Sequence, residues 1–104
     1  MTLANAIARM ERVLIDHGKA TANLRADTDY DAWWSARKAV DKMSTDALTS
    51  AGAAVTSDWR GAAIRLAGVR STSTCGLRGA MTNWLRLARD RHARQQLEDF
   101  GKAD

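Results

Sequence analysis

Residues 63–81 read A-I-R-L-A-G-V-R-S-T-S-T-C-G-L-R-G-A-M, and the conformation of this stretch decides the fold class. At helical period it closes an apolar series that begins upstream. Leu48, Ala51, Val55, Trp59, Ala62, Leu66 and Val69 recur at spacings of three and four, as one face of a helix requires. At strand period, Ile64 and Leu66 alternate with Arg65 and Ala67, and the chain runs on into the β-branched R-S-T-S-T of 70–74, which suits a pleated surface. The helical reading leads. It divides 44–69 into two short helices broken near 56, where Gly52 and the Thr56-Ser57-Asp58 run interrupt the pattern, and it leaves a short β-hairpin around residues 54–70 as the alternative.

Outside this stretch the periodicity is helical. Leu3, Ala6, Ile7, Met10, Val13, Leu14 and His17 share one stripe, so a first helix is predicted over 3–17 with Gly18 as its stop. Residues 19–27 are ambiguous, with Leu24 their one strong apolar anchor. Thr28, followed three residues later by Asp31, resembles a capping box that opens a second helix over 29–43, with Tyr30, Trp33, Ala36, Val40 and Met43 turned inward. Ser44, Thr45 and Asp46 offer a further cap. After the Ser/Thr cluster at 71–74, Leu77, Ala80, Met81, Trp84, Leu87 and Ala88 form one arc of a last helix over 75–98, and the tail from 101 should fray. The chain contains no proline, which long helices tolerate best. The expected fold is mainly α: one domain over 1–104, a bundle of four or five helices.

Composition narrows the function classes. The 104 residues are 27% charged and 45% hydrophobic with four tryptophans, a globular profile anchored by a few large rings. One cysteine, Cys75, cannot form an internal disulfide, so a reducing cytoplasm is the default compartment. No apolar run approaches the ~20 residues that cross a bilayer, so no membrane partner is expected. Two histidines, His17 and His92, stand far apart with that single cysteine, which leaves no metal-ligand spacing. The glycines match neither a Walker loop nor a dinucleotide fingerprint, so no cofactor is indicated. Catalysis is not expected: His17 reads as a residue of a helix C-terminus, and Cys75 as a small packing residue.

The charge is uneven. Net charge is +4, and within 60–94 eight arginines face one acidic residue, Asp90. Arginine combines fixed charge with a planar donor fork suited to phosphates and base edges. On a helical wheel Arg78, Thr82, Arg86 and Arg89 are neighbours, with Arg94 along one border, and this arc suits a phosphate backbone, an acidic protein partner or simply solvent as the surface of a helix. The sequence from Ala63 to Met81 also has partial helix-turn-helix character: an apolar turn before Gly68, then Val69, then a polar cluster opening a second helix. In that pattern Arg70, Thr72, Thr74 and Arg78 would meet the major groove.

Among the tryptophans, Trp33, Trp59 and Trp84 coincide with apolar stripes and read as core. Trp34 cannot share a face with Trp33, since successive helical side chains diverge by about 100°, so it is free to stack on a base or anchor a partner. The leading expectation is a small non-enzymatic nucleic-acid-binding protein, on DNA rather than RNA, through Arg70, Thr72, Thr74, Arg78, Thr82, Arg86 and Arg89. The alternative is a protein-interaction module that meets an acidic protein surface through Trp34 and Arg94. By analogy of size and composition this would be a phage- or mobile-element-type inhibitor, anti-CRISPR-like, acting on a nucleic-acid-processing complex. A homodimer through the stripe of the first helix is a further expectation.

Overall fold

A computed structural model describes residues 1–22, Leu24 and 30–102 of the chain. The elements run α1 (Leu3–Ala22), α2 (Tyr30–Ser50), β1 (Ala54–Asp58), β2 (Gly61–Leu66), β3 (Val69–Ser73) and α3 (Leu77–Lys102). The expected bundle of four or five helices is therefore corrected. Three helices accompany a three-stranded antiparallel sheet of order β1-β2-β3. The hairpin considered around 54–70 understates that sheet, because a third strand carries it to Ser73.

The reason lies in the turn that joins β2 to β3. Ala67 and Gly68 both adopt positive φ, 52° and 78°, the backbone of a two-residue turn whose twist matches the strands it joins. Leu66 and Val69 pair directly across it, and the chain reverses where a helix would have had to continue. Period two then governs burial: Ala62, Ile64 and Leu66 on β2 and Val69 and Ser71 on β3 are buried, while Arg65, Arg70 and Thr72 between them are exposed. The three-and-four series that favoured helices breaks down on this point. It contains Trp59, which is 91% exposed, and omits Ile64, which has no exposed surface. The helix-turn-helix resemblance falls with it, since Arg70 and Thr72 lie on a strand and Thr74 in the turn before α3.

The helices also differ in extent from the sequence reading. α1 continues through Gly18 to Ala22, and the Thr21 hydroxyl donates to the carbonyls of His17 (2.9 Å) and Gly18 (3.2 Å). α2 runs unbroken through Ser44, Thr45 and Asp46, so these residues cap nothing. The cap expected at Thr28 lies outside the described residues, as do residues 23 and 25–27 of the ambiguous 19–27 stretch. α3 begins at Leu77 and reaches Lys102.

The core is one cluster in which α3 is sandwiched between the sheet and α1. Ala6, Met10 and Val13 of α1 and Leu48 of α2 meet Leu77, Ala80, Met81, Trp84, Leu85 and Ala88 of α3 and the inner face of β2 and β3. Polar links fix α3 on the hairpin. The Trp84 indole Nε1 donates to the carbonyls of Val69 (3.1 Å) and Leu66 (3.3 Å), and the buried Ser71 hydroxyl donates to Ala80 O at 2.8 Å. Asn83 Nδ2 reaches Thr72 O at 2.9 Å and Arg91 Nη1 reaches Gly68 O at 2.8 Å. Beyond Ala88 burial stops, and Leu97 is 72% exposed.

Trp84 therefore contributes both apolar volume and a donor. Trp84→Ala should lower the unfolding free energy by about 3–5 kcal/mol. Trp84→Phe, which keeps a ring but removes the N–H, should cost about 1–3 kcal/mol. Urea denaturation followed by circular dichroism measures both, and a Phe variant as stable as the parent would remove the indole hydrogen bonds from the account.

Candidate functional site

His17 sits near the C-terminal end of α1 with 2% of its surface exposed. Its Nε2 lies 2.8 Å from Asp41 Oδ1 on α2, and its Nδ1 lies 3.4 Å from Arg78 Nη1 on α3. A guanidinium only donates and a carboxylate only accepts, so the pattern matches a neutral ring that donates from Nε2 to Asp41 and accepts at Nδ1 from Arg78. One side chain from each helix is thus joined through a single imidazole. Gly18 makes room for this link, because a Cβ there would come within 3.3 Å of Arg78 Nη1. Gly18 admits a neighbour rather than ending the helix.

Trp33 and Arg37, and Trp34 and Lys38, are spaced four apart on the turns that precede Asp41, so each ring has a cation one turn along. Arg37 Cζ lies 5.4 Å from the Trp33 ring and Lys38 Nζ 5.5 Å from the Trp34 ring. The rings of Trp33 and Trp34 are 6.0 Å apart, and Tyr30 adds a third ring 5.7 Å from Trp33. Trp59 stands across from them at the β1–β2 turn, with Arg60 Cζ 5.7 Å from its ring. That turn is held by Asp58, whose carboxylate accepts from the Arg60 backbone N–H at 2.8 Å and pairs with the Arg60 guanidinium at 3.3 Å. Between α2, this turn and the start of α3 opens a cleft of about 710 Å³, lined by Trp33, Trp34, Trp59, Arg37, Lys38, Asp41, Cys75 and Arg78 among others.

The residues singled out from sequence are distributed over several surfaces. Trp34 and Arg78 share the cleft. Arg70 and Thr72 are exposed on the face of the sheet turned away from α3, and Thr74 follows them into the turn. Arg70 also lines a separate depression with Arg91, Arg94 and Asp90, where Arg94 pairs with Asp90 at 3.0 Å. On α3, Arg89 pairs with Glu11 of α1 at 3.3 Å, Thr82 donates to Arg78 O at 3.0 Å, and Arg86 is exposed with no ion pair among the described residues. The arginine arc of α3 is thus partly neutralised, and Arg70 and Thr72 stand on β3 rather than on that helix.

Sequence reasoning missed Trp59, Trp33, Arg37, Lys38 and the His17–Asp41 link. Trp59, expected in the core, is the most exposed of the large apolar side chains among the described residues. The D-W-R-G run at 58–61 carried the signal, because an aspartate two residues before a backbone N–H that it can cap marks a turn. Trp33 is half-buried beside the cleft rather than core. Cys75, expected to pack, is an exposed free thiol at the rim.

Comparison with protein-family models, with curated proteins and with solved structures finds no match. Among the described residues no group of histidine, cysteine and acidic side chains is placed to hold a metal ion, and no helix is long and apolar enough to cross a membrane.

Removing the imidazole would leave Arg78 and Asp41 without their shared partner at the junction of three helices. His17→Ala should destabilise the fold by about 2–4 kcal/mol and raise the hydrogen-exchange rate of the α2 backbone around Asp41. Unchanged exchange there would mean that α2 is held without the link.

Proposed function

We propose that this protein is a small non-enzymatic nucleic-acid-binding protein whose site is the tryptophan cleft, and that it takes an unpaired strand rather than a duplex. The observation that carries the reading is that Trp33, Trp34 and Trp59 converge on one cleft while each already has a protein cation over its ring. An aromatic cage for a cationic ligand would keep its ring faces free of protein cations. Rings that alternate with arginine and lysine instead suit a ligand that is aromatic and anionic at once, with bases on the indoles and phosphates on the cations.

Other features favour a strand over a double helix. Duplex recognition through a helix-turn-helix needs two helices where β2 and β3 stand. The α3 arc offers Arg86 unpaired, with Arg89 engaged by Glu11. The chemistry favours binding over catalysis, because both ring nitrogens of His17 are engaged in holding helices together.

A second reading draws on the same residues. Exposed tryptophan and arginine are the side chains most enriched at protein interface hot spots, and Trp59 is 91% exposed, so an inhibitor module that covers a partner protein would use this cleft too.

Fluorescence anisotropy with a labelled twenty-nucleotide oligo-dT separates the two. Binding should be tighter than to a duplex of equal length and should quench tryptophan emission. Trp34→Ala and Trp59→Ala should each weaken it by about 1–3 kcal/mol, roughly five- to 150-fold. Protein that is fully folded, ignores the oligonucleotide and copurifies with a protein target would decide for the second reading.

A further inference from the structure

The outer face of the sheet carries a feature that the fold does not explain. Arg65 and Arg70 are direct cross-strand partners on the outer face of β2 and β3, both exposed, with Arg70 on the edge strand also bordering α3. Side chains in such a pair start roughly 5 Å apart, and like charges placed there are destabilising. Neither guanidinium has an ion pair among the described residues, and Asp90, which shares a depression with Arg70, is paired to Arg94. The rest of that face is small or hydroxylic except for Asp58 at its far end, which is paired with Arg60: Thr56, Ala63 and Thr72 align in the next register, leaving an open floor.

This floor borders the tryptophan cleft through one shared residue, Asp58. A depression of about 300 Å³ spans Arg65, Arg70, Thr56 and Ala63. A neighbouring one shares Thr56 and Ala63 with it and runs to Asp58, Arg60 and Thr74. Asp58 in turn borders the cleft. Along β2, the four residue steps from Gly61 to Arg65 cover about 13 Å at the usual strand rise, a short extension of a strand already seated on the rings.

We propose that the outer face of the sheet is a second binding surface, on which Arg65 and Arg70 hold backbone phosphates of the same single strand whose bases stack in the cleft. This rests on the nucleic-acid reading of that cleft. The occupant follows from charge: two adjacent unpaired guanidiniums, with threonine hydroxyls beside them, complement successive phosphates of a flexible chain. A small-residue floor lets its backbone approach closely. The strand relieves the repulsion between the two arginines that the folded protein alone must bear.

The test is the salt dependence of oligo-dT binding by the full chain. Each phosphate contact on a single strand contributes about 0.7 to the slope of log affinity against log salt. The double variant Arg65→Ala/Arg70→Ala should therefore flatten that slope by about 1.4 while keeping the tryptophan quench, and Arg65→Lys/Arg70→Lys should restore it. The alanine variant should fold at least as stably as the parent, as circular dichroism and its urea midpoint would record. An unchanged slope with the quench intact overturns the outer-face site and leaves the cleft standing. Absence of oligonucleotide binding by the parent chain overturns both. A slope that responds to the arginines in binding that ignores Trp34 and Trp59 overturns the continuous track.

Discussion

The indole of Trp84, buried to zero exposure and donating into the β2–β3 turn, is the contact on which the arrangement depends. A two-stranded hairpin is marginal alone in water, and here the third strand, β1, is mostly exposed. Packing of α3 across the inner face supplies the apolar burial, and Trp84, Asn83, Arg91 and Ser71 set where along the hairpin the helix lies. With α3 fixed, its first turns are directed at α1, and Arg78 arrives beside His17.

That junction determines the shape of the cleft. α2 buries Ser44 and Leu48, while much of its first half is exposed, so its position there owes more to Asp41 and His17 than to apolar packing. The rings of Trp33 and Trp34 are held over the β1–β2 turn because a buried imidazole bridges a carboxylate and a guanidinium below them. Such a bridge contributes little net stability when the alternative is apolar packing, but it specifies one geometry, which a binding surface needs. The cations over the rings act similarly: they order the indoles and keep positive charge at the cleft mouth.

Much of the helical content was legible. The α1 stripe of Ala6, Met10, Val13 and His17 faces the core as its spacing implies, and Trp84 takes its place in the arc of the last helix. The sheet was not, because in 48–69 two periods fit at once. The alanines at 51, 53, 54, 62, 63 and 67 satisfy a helical face and a strand face equally, and Ala67-Gly68 is a weaker turn signal than Asn-Gly. Trp59 misled for a related reason: an indole at helical spacing looks like core until the turn that exposes it is known. A wheel drawn for one helix sets the arginines of α3 side by side but contains no Glu11 from another element.

Local sequence alone therefore determined where α1 and the α3 core stripe form, the excess of arginine in the second half, and the adjacency of aromatic and cationic side chains along α2. Those depend on residues within a turn or two of one another, where spacing is sufficient. Tertiary structure decided the rest: that 54–73 is a sheet, that Trp59 points outward on the same cleft as Trp33 and Trp34, that Arg65 and Arg70 stand side by side, and which arginines are neutralised. Each of these brings together residues from different elements, and the free energy that selects among such pairings comes from burial against α3, which no local pattern encodes.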